Sequence, residues 1–167
     1  MRLFKIAFIY SFAFTLLVGC SISKEEVKQS AIASIKIAFQ EDSVKANETN
    51  DQFSFYLPDT FDIESASGSN LILSEGEQQY ILFVNKNEKR NSKLLYQKGI
   101  DTATDILVNE TMETDDEFKY TIIIKLNEKV YEVITGIGGI KMTTHANSQD
   151  VDDSVRKMIK IVQSVQY

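Results

Sequence analysis

Between Phe118 and His145 the chain carries two β-rich runs, "FKYTIIIKL" and "VYEVITGIGGIKMTTH", separated only by Asn127-Glu128-Lys129. Branched and aromatic side chains favour extended backbone because they pack well on a pleated surface. A three-residue turn between two such runs returns the chain antiparallel to itself. The second run reads as one long strand, in which Gly136, Gly138 and Gly139 mark a bulge, a kink or a close approach of another backbone segment. A hairpin of this kind is not stable alone and needs further strands or a helix against its apolar face. The end of the chain offers that helix. In "SQDVDDSVRKMIKIVQSV", Val151, Val155, Met158, Ile159, Val162 and Val165 recur on one face at helical spacing. Asp150, Asp152 and Asp153 crowd its start as capping and dipole-matched residues, and Arg156, Lys157 and Lys160 come later.

The first half of the chain follows the same grammar. "SKEEVKQSAIASIKIAFQED" opens on Ser23 and Glu26, the S-x-x-E spacing of a capping box. Val27, Ala31, Ile35, Ala38 and Phe39 then form a stripe, widened by Ile32, that predicts a helix over 24–40. The polar stretch "EDSVKANETNDQ" reads as a linker, after which the period changes from 3.6 to 2. "FSFYLP" alternates Phe53, Phe55 and Leu57 up to Pro58. "TFDIES" alternates Phe61 and Ile63, and "SGSN" breaks the pattern. "NLILSEGEQQYILFVN" reads as a hairpin with Gly76 near its apex. Residues 93–108 read as a short helix, a loop and a strand beginning near Ile106. Helix, successive strands, helix is the order of an α+β fold. The expectation is a largely antiparallel sheet of five to seven strands, with the closing amphipathic helix packed on it.

Residues 1–19 precede all of this and have a different character. Arg2 and Lys5 are followed by a run from Ile6 to Val18 broken only by Tyr10, Ser11 and Thr15. A basic start, an apolar run of about 7–15 residues and a small-residue exit describe a secretory signal peptide. The run is short for a permanent span, which takes roughly 20 apolar residues. Without Arg2 and Lys5 the chain keeps 16 basic side chains against 24 acidic ones, a net charge near −8. It has no basic stripe to neutralise phosphates, which argues against nucleic acid as a partner, and none to hold an anionic lipid surface by charge.

Leu17-Val18-Gly19-Cys20 resembles the lipobox of bacterial lipoproteins: an aliphatic residue, a small or aliphatic one, a small one, then cysteine. The resemblance implies that Cys20 receives a thioether-linked diacylglycerol and becomes the N-terminus after cleavage behind Gly19. Such a chain is held at the cell membrane on its extracytoplasmic face, with its contact to membrane lipid made through Cys20. Two acyl chains anchor stably where one does not. The organisation is then a leader at 1–19, a lipid-anchored spacer at 20–23 and one α+β domain at 24–167. Competing readings of Cys20 are weaker, since it is the only cysteine and has no disulfide partner. The mature part also resembles the PsbP-like family of small α+β domains, on Phe53, Phe55 and Pro58 as an F-x-F-x-x-P strand and on the closing helix. Members of that family are mostly accessory proteins, so the resemblance implies a non-enzymatic role.

No catalytic or metal-binding set stands out. His145 is the single histidine, in "TTHANSQD", and reads as a solvated loop or strand-end residue. One histidine and one cysteine are too few for a structural zinc site. "ETDDE" (Glu113 to Glu117) and "DVDD" (Asp150 to Asp153) are the densest carboxylate clusters, and neither has the spacing of an EF-hand loop. "TGIGGIK" is flanked by β-type sequence on both sides, unlike a phosphate cradle between strand and helix. The expectation is a binding or interaction module that recruits a protein or envelope component, with no cofactor. The alternatives are a carrier enclosing a hydrophobic ligand between sheet and helix, and an envelope enzyme that uses carboxylates alone.

Overall fold

The computed structural model describes residues 22–167. The leader, the lipobox and Cys20 lie outside the described residues. In order, the chain forms α1 (Lys24–Gln40), β1 (Glu48–Thr49), β2 (Ser54–Phe55), β3 (Asp62–Ser67), β4 (Asn70–Glu75) and β5 (Gln78–Val84). These are followed by α2 (Leu94–Thr102), β6 (Ile106–Glu113), β7 (Phe118–Lys125), β8 (Val130–Ile137), β9 (Ile140–Asn147) and α3 (Val151–Ser164). Seven strands make one sheet in the order β3-β4-β5-β9-β8-β7-β6, with every neighbouring pair antiparallel. The fold is α+β, and α3 lies on the sheet with Val155, Met158, Ile159 and Val162 buried beneath it.

The capping box at the start of α1 is complete. The Ser23 hydroxyl accepts from the Glu26 amide at 3.2 Å, and the Ser23 amide donates to the Glu26 carboxylate at 2.8 Å. The buried stripe of α1 docks on α3 and β6. Side chains of the core elements close its far end: Gln163 donates to the Ala38 carbonyl at 3.1 Å and Lys119 to the Phe39 carbonyl at 3.0 Å. The Ala38 carbonyl also accepts from the Glu41 amide at 3.3 Å, and the Phe39 carbonyl, one of the last-turn groups without an intrahelical partner, is met by Lys119.

Four local expectations need correction. "VYEVITGIGGIKMTTH" is two strands, β8 and β9, because Gly138 adopts φ +55° and reverses the chain between Ile137 and its partner Ile140. Gly138 is the first residue of a two-residue turn, where a type II′ hairpin places glycine. The expected close approach is also present. A Cβ on Gly138 would overlap the Lys89 carbonyl oxygen, and one on Gly139 would stand 2.6 Å from that of Asn85. In "FSFYLP" only Ser54–Phe55 is β. It pairs with Glu48–Thr49 inside the expected linker, in a ribbon apart from the main sheet. Phe53 and Phe55 are nonetheless both buried, and Ser54 exchanges 2.9 Å backbone bonds with Gln166. The alternation of Phe61 and Ile63 fails because β3 is an edge strand whose register shifts between Ile63 and Ser65, leaving Ile63 exposed. Asp150 does not cap α3 with its side chain.

Candidate functional site

A sheet has two faces, and in this molecule they are covered unequally. On one face α1 and α3 bury the inward residues of β4, β5, β9 and β8, among them Leu73, Tyr80, Leu82, Met142 and Val133. The space between α3 and the sheet around Gly136 and Ile159 is a slit that admits no water-sized sphere. On the other face α2 lays Leu95, Tyr96 and Ile100, with its C-cap residue Ala103, against Phe118, Tyr120, Ile122, Ile124 and Ile134. This second helix covers the β7 side only.

The register shows what α2 leaves open. Cross-strand partners share a face, and one row runs Ile72–Ile81–Thr143–Ile134–Ile122 across β4, β5, β9, β8 and β7. The row Asn70–Phe83–Lys141–Gly136–Tyr120 lies on one side of it. On its other side lie the pair Ser74–Gln79 of β4 and β5 and the row His145–Glu132–Ile124 of β9, β8 and β7. Ile122 and Ile134 are under α2, whereas Ile81 is 48% exposed. Where the helix stops, a groove of about 500 Å³ runs between α2 and the open strands. Ile81, Phe83, Thr143 and Ile134 line it on the sheet side and Leu95 and Gly99 on the helix, with Lys98, Lys141 and Glu132 among its charged groups. It has an apolar centre with charges around it, the layout that protein contact surfaces share.

The residues singled out in the sequence lie elsewhere or at its margin. His145 is exposed on β9, opposite Glu132. In "ETDDE", Glu117 meets Arg90 at 2.7 Å and Lys119 at 3.6 Å, and Glu113 meets Lys93 at 2.7 Å. The Arg90 guanidinium also donates to the Val165 carbonyl at 3.1 Å, so this pair ties the 85–92 loop to the chain's end. In "DVDD", Asp152 bonds Ser34 on α1 and Arg156, and Asp153 meets Lys157 at 2.6 Å. Lys157 also meets Glu75 at 2.6 Å. Burial alone would raise the Asp153 carboxyl, but the hydrogen bonds and charges of Lys157 and Arg156 outweigh it and hold the group below its ordinary range. Burial would likewise lower Lys157, and Asp153 with Glu75 overcome it and raise the ammonium. Glu113, Glu117 and Asp152 tie separate segments together, whereas Asp153 pairs within α3. Among the described residues no three His, Cys, Asp or Glu side chains are grouped to hold a metal ion.

The open row was not singled out in the sequence, although a signal exists. "LIL" and "YILFV" are continuous rather than alternating, and continuous apolar runs belong to strands covered on both faces. Ile72, Ile81 and Phe83 are the out-of-phase members of those runs. No family model matches the chain, and no curated protein matches it either.

Proposed function

We propose that the chain is a membrane-anchored extracytoplasmic lipoprotein, tethered through a diacylglycerol on Cys20, whose folded part is a non-enzymatic binding module. Its contact surface is the open half of the second sheet face, and its partner is a protein of the cell envelope. The observation that carries this reading is the cross-strand row in which Ile122 and Ile134 are covered while Ile81 is nearly half exposed. Ile72, Ile81 and Phe83 lie side by side there without being fully buried, and grouped apolar surface is a mark of interaction sites. A hydrophobe carrier is less well supported, because the slit between α3 and the sheet is too narrow for a water-sized sphere and so for an acyl chain.

The test is photo-crosslinking in intact cells. A crosslinking side chain in place of Thr143 should give one discrete protein adduct, and Ile81→Lys should abolish it. The same side chain in place of Ile37, on the solvent side of α1, should give none. Equal adducts from both positions, or none from Thr143, would rule the surface out. Membrane fractionation of Cys20→Ala tests the tether separately, and a processed, membrane-bound mutant would refute it.

A further inference from the structure

We infer that the end of the domain at which the chain enters the fold is a lipid-contacting surface, formed by Ile22, Ile106 and Leu126. The inference rests on the anchor proposed for Cys20 and goes beyond it, because a tether alone leaves orientation free. Three of the large apolar side chains left exposed lie at this end: Ile22 at 43%, Ile106 at 39% and Leu126 at 46%. Contacts to Asp105 hold them together. Lys24, two residues after Ile22, reaches the Asp105 carboxylate at 3.3 Å, and the Lys125 amide donates to the Asp105 carbonyl at 3.1 Å. Ile106 follows Asp105 directly, and Leu126 follows Lys125.

The reach of the chain names the occupant. Cys20 precedes Ile22 by two residues, and a fully extended chain spans about 3.3–3.6 Å per residue. A diacylglycerol on Cys20 therefore puts the lipid surface within about 7 Å of Ile22, on the end where Ile106 and Leu126 already face outward. The local charges suit a shallow contact. Lys24 pairs with Asp105 and Lys125 with Glu128, so this end carries acid and base together while the chain as a whole is acidic. Lysine stems can lie along an apolar surface while the ammonium stays in water. The strands stand on this end, since β6 and β8 begin there and β7 and β9 finish there. The open sheet face then looks sideways along the membrane, toward proteins held at the same surface.

The experiment uses the full chain, expressed where lipoproteins are processed and reconstituted into phosphatidylcholine–phosphatidylglycerol vesicles carrying a nitroxide high on the acyl chain. Single variants Leu126→Cys, Ile106→Cys and, at the far end of α1, Ile37→Cys are labelled with a fluorophore. The unmutated chain, whose only thiol is Cys20, should float with the vesicles and take no label. The nitroxide should quench labels at 126 and 106 several-fold more than at 37. Equal quenching at all three in a chain that floats overturns the oriented contact and leaves the anchor standing. A chain that does not float, or an unmutated chain that labels, overturns the anchor and the contact with it.

Discussion

Replacing Gly138 by alanine should destabilise the fold several times more than the same replacement at Gly76. Both glycines are left-handed, at φ +55° and +59°. That conformation costs an L-residue about 1–2 kcal/mol, and the stiffer unfolded chain of an alanine variant offsets about 0.4–1 kcal/mol of it. At Gly76 nothing stands within 4 Å of the added Cβ, so the net cost is about 1 kcal/mol or less. At Gly138 the new Cβ would meet the Lys89 carbonyl oxygen and the Cα and carbonyl carbon of Arg90, all backbone. That backbone is not free to retreat. The Phe118 amide donates to the Arg90 carbonyl and the Asn85 amide to the Gly139 carbonyl, both at 2.9 Å, and the Arg90 side chain is fixed by Glu117 and Val165. Overpacking of this sort adds about 1–3 kcal/mol, for a total of about 2–4 kcal/mol at Gly138. Urea denaturation followed by far-ultraviolet circular dichroism measures the difference, with the slope unchanged if only the native state is affected. In thermal melts each kcal/mol should lower Tm by about 2–4 °C. Equal losses at the two positions would refute the reasoning, because they would mean that the 85–92 loop is not seated on the turn.

Because Asp153 is held below its ordinary value of 3.8, its pairing stabilises the fold above that pH and is lost as pH falls through the folded value. Asp153→Asn should therefore flatten the acid limb of a Tm-against-pH curve below about pH 4. Lys157 is raised from 10.5, so its contribution is present below that pH and lost as pH rises through the folded value. Lys157→Met should remove the alkaline loss, and an unchanged limb in either variant would refute the pairing. Tyr120 is buried, which pushes its phenol up, and its hydroxyl has no hydrogen-bond partner among the described residues. Tyr120→Phe should be neutral or stabilise by up to about 1–2 kcal/mol, and a clear loss of urea resistance would refute that. Met158→Ala, on the fully buried face of α3, should cost about 2–5 kcal/mol in the same measurement, and a loss under 1 kcal/mol would mean that α3 is not anchored there.

Periodicity made both terminal helices and the antiparallel sheet legible, because the stripes of 27–39 and 151–165 and the runs of 118–145 each express one local rule. The β8–β9 turn was hidden because Gly138-Gly139 lies between isoleucines within an unbroken β-type sequence. A reversing turn and a bulge look alike until the backbone torsion is known. The side-chain roles of "DVDD" were hidden for a different reason: Ser34, which bonds Asp152, and Glu75, which shares Lys157 with Asp153, are remote in sequence, and local order shows only a helix start. The candidate surface was harder still. Ile72, Ile81, Thr143 and Ile134 lie on four strands whose spatial order puts β9 beside β5. Within each strand they look like surplus hydrophobes, and only the register joins them into a row.

The edges of the sheet bear on how a partner could use that row. An open edge strand invites another strand to add on, and here both edges are blunted. Every residue of β3 is exposed, but Asp62 and Glu64 put charge along it, and its register breaks between Ile63 and Ser65. Glu64, the residue between them, is held by the Ser74 hydroxyl at 2.6 Å, which fixes the irregularity in place. At the opposite edge β6 has its own shift between Ile106 and Val108, and α1 packs against it. A partner that extended the sheet would have to straighten one of these bulges, and on β3 it would also have to bury the carboxylates of Asp62 and Glu64. A partner that settles on the face meets Ile81, Phe83 and Thr143, with Lys98 and Lys141 near enough to pair with its own acids. For the binding module proposed above, side-chain contact across the open face is therefore the mode of recognition that the two edges leave.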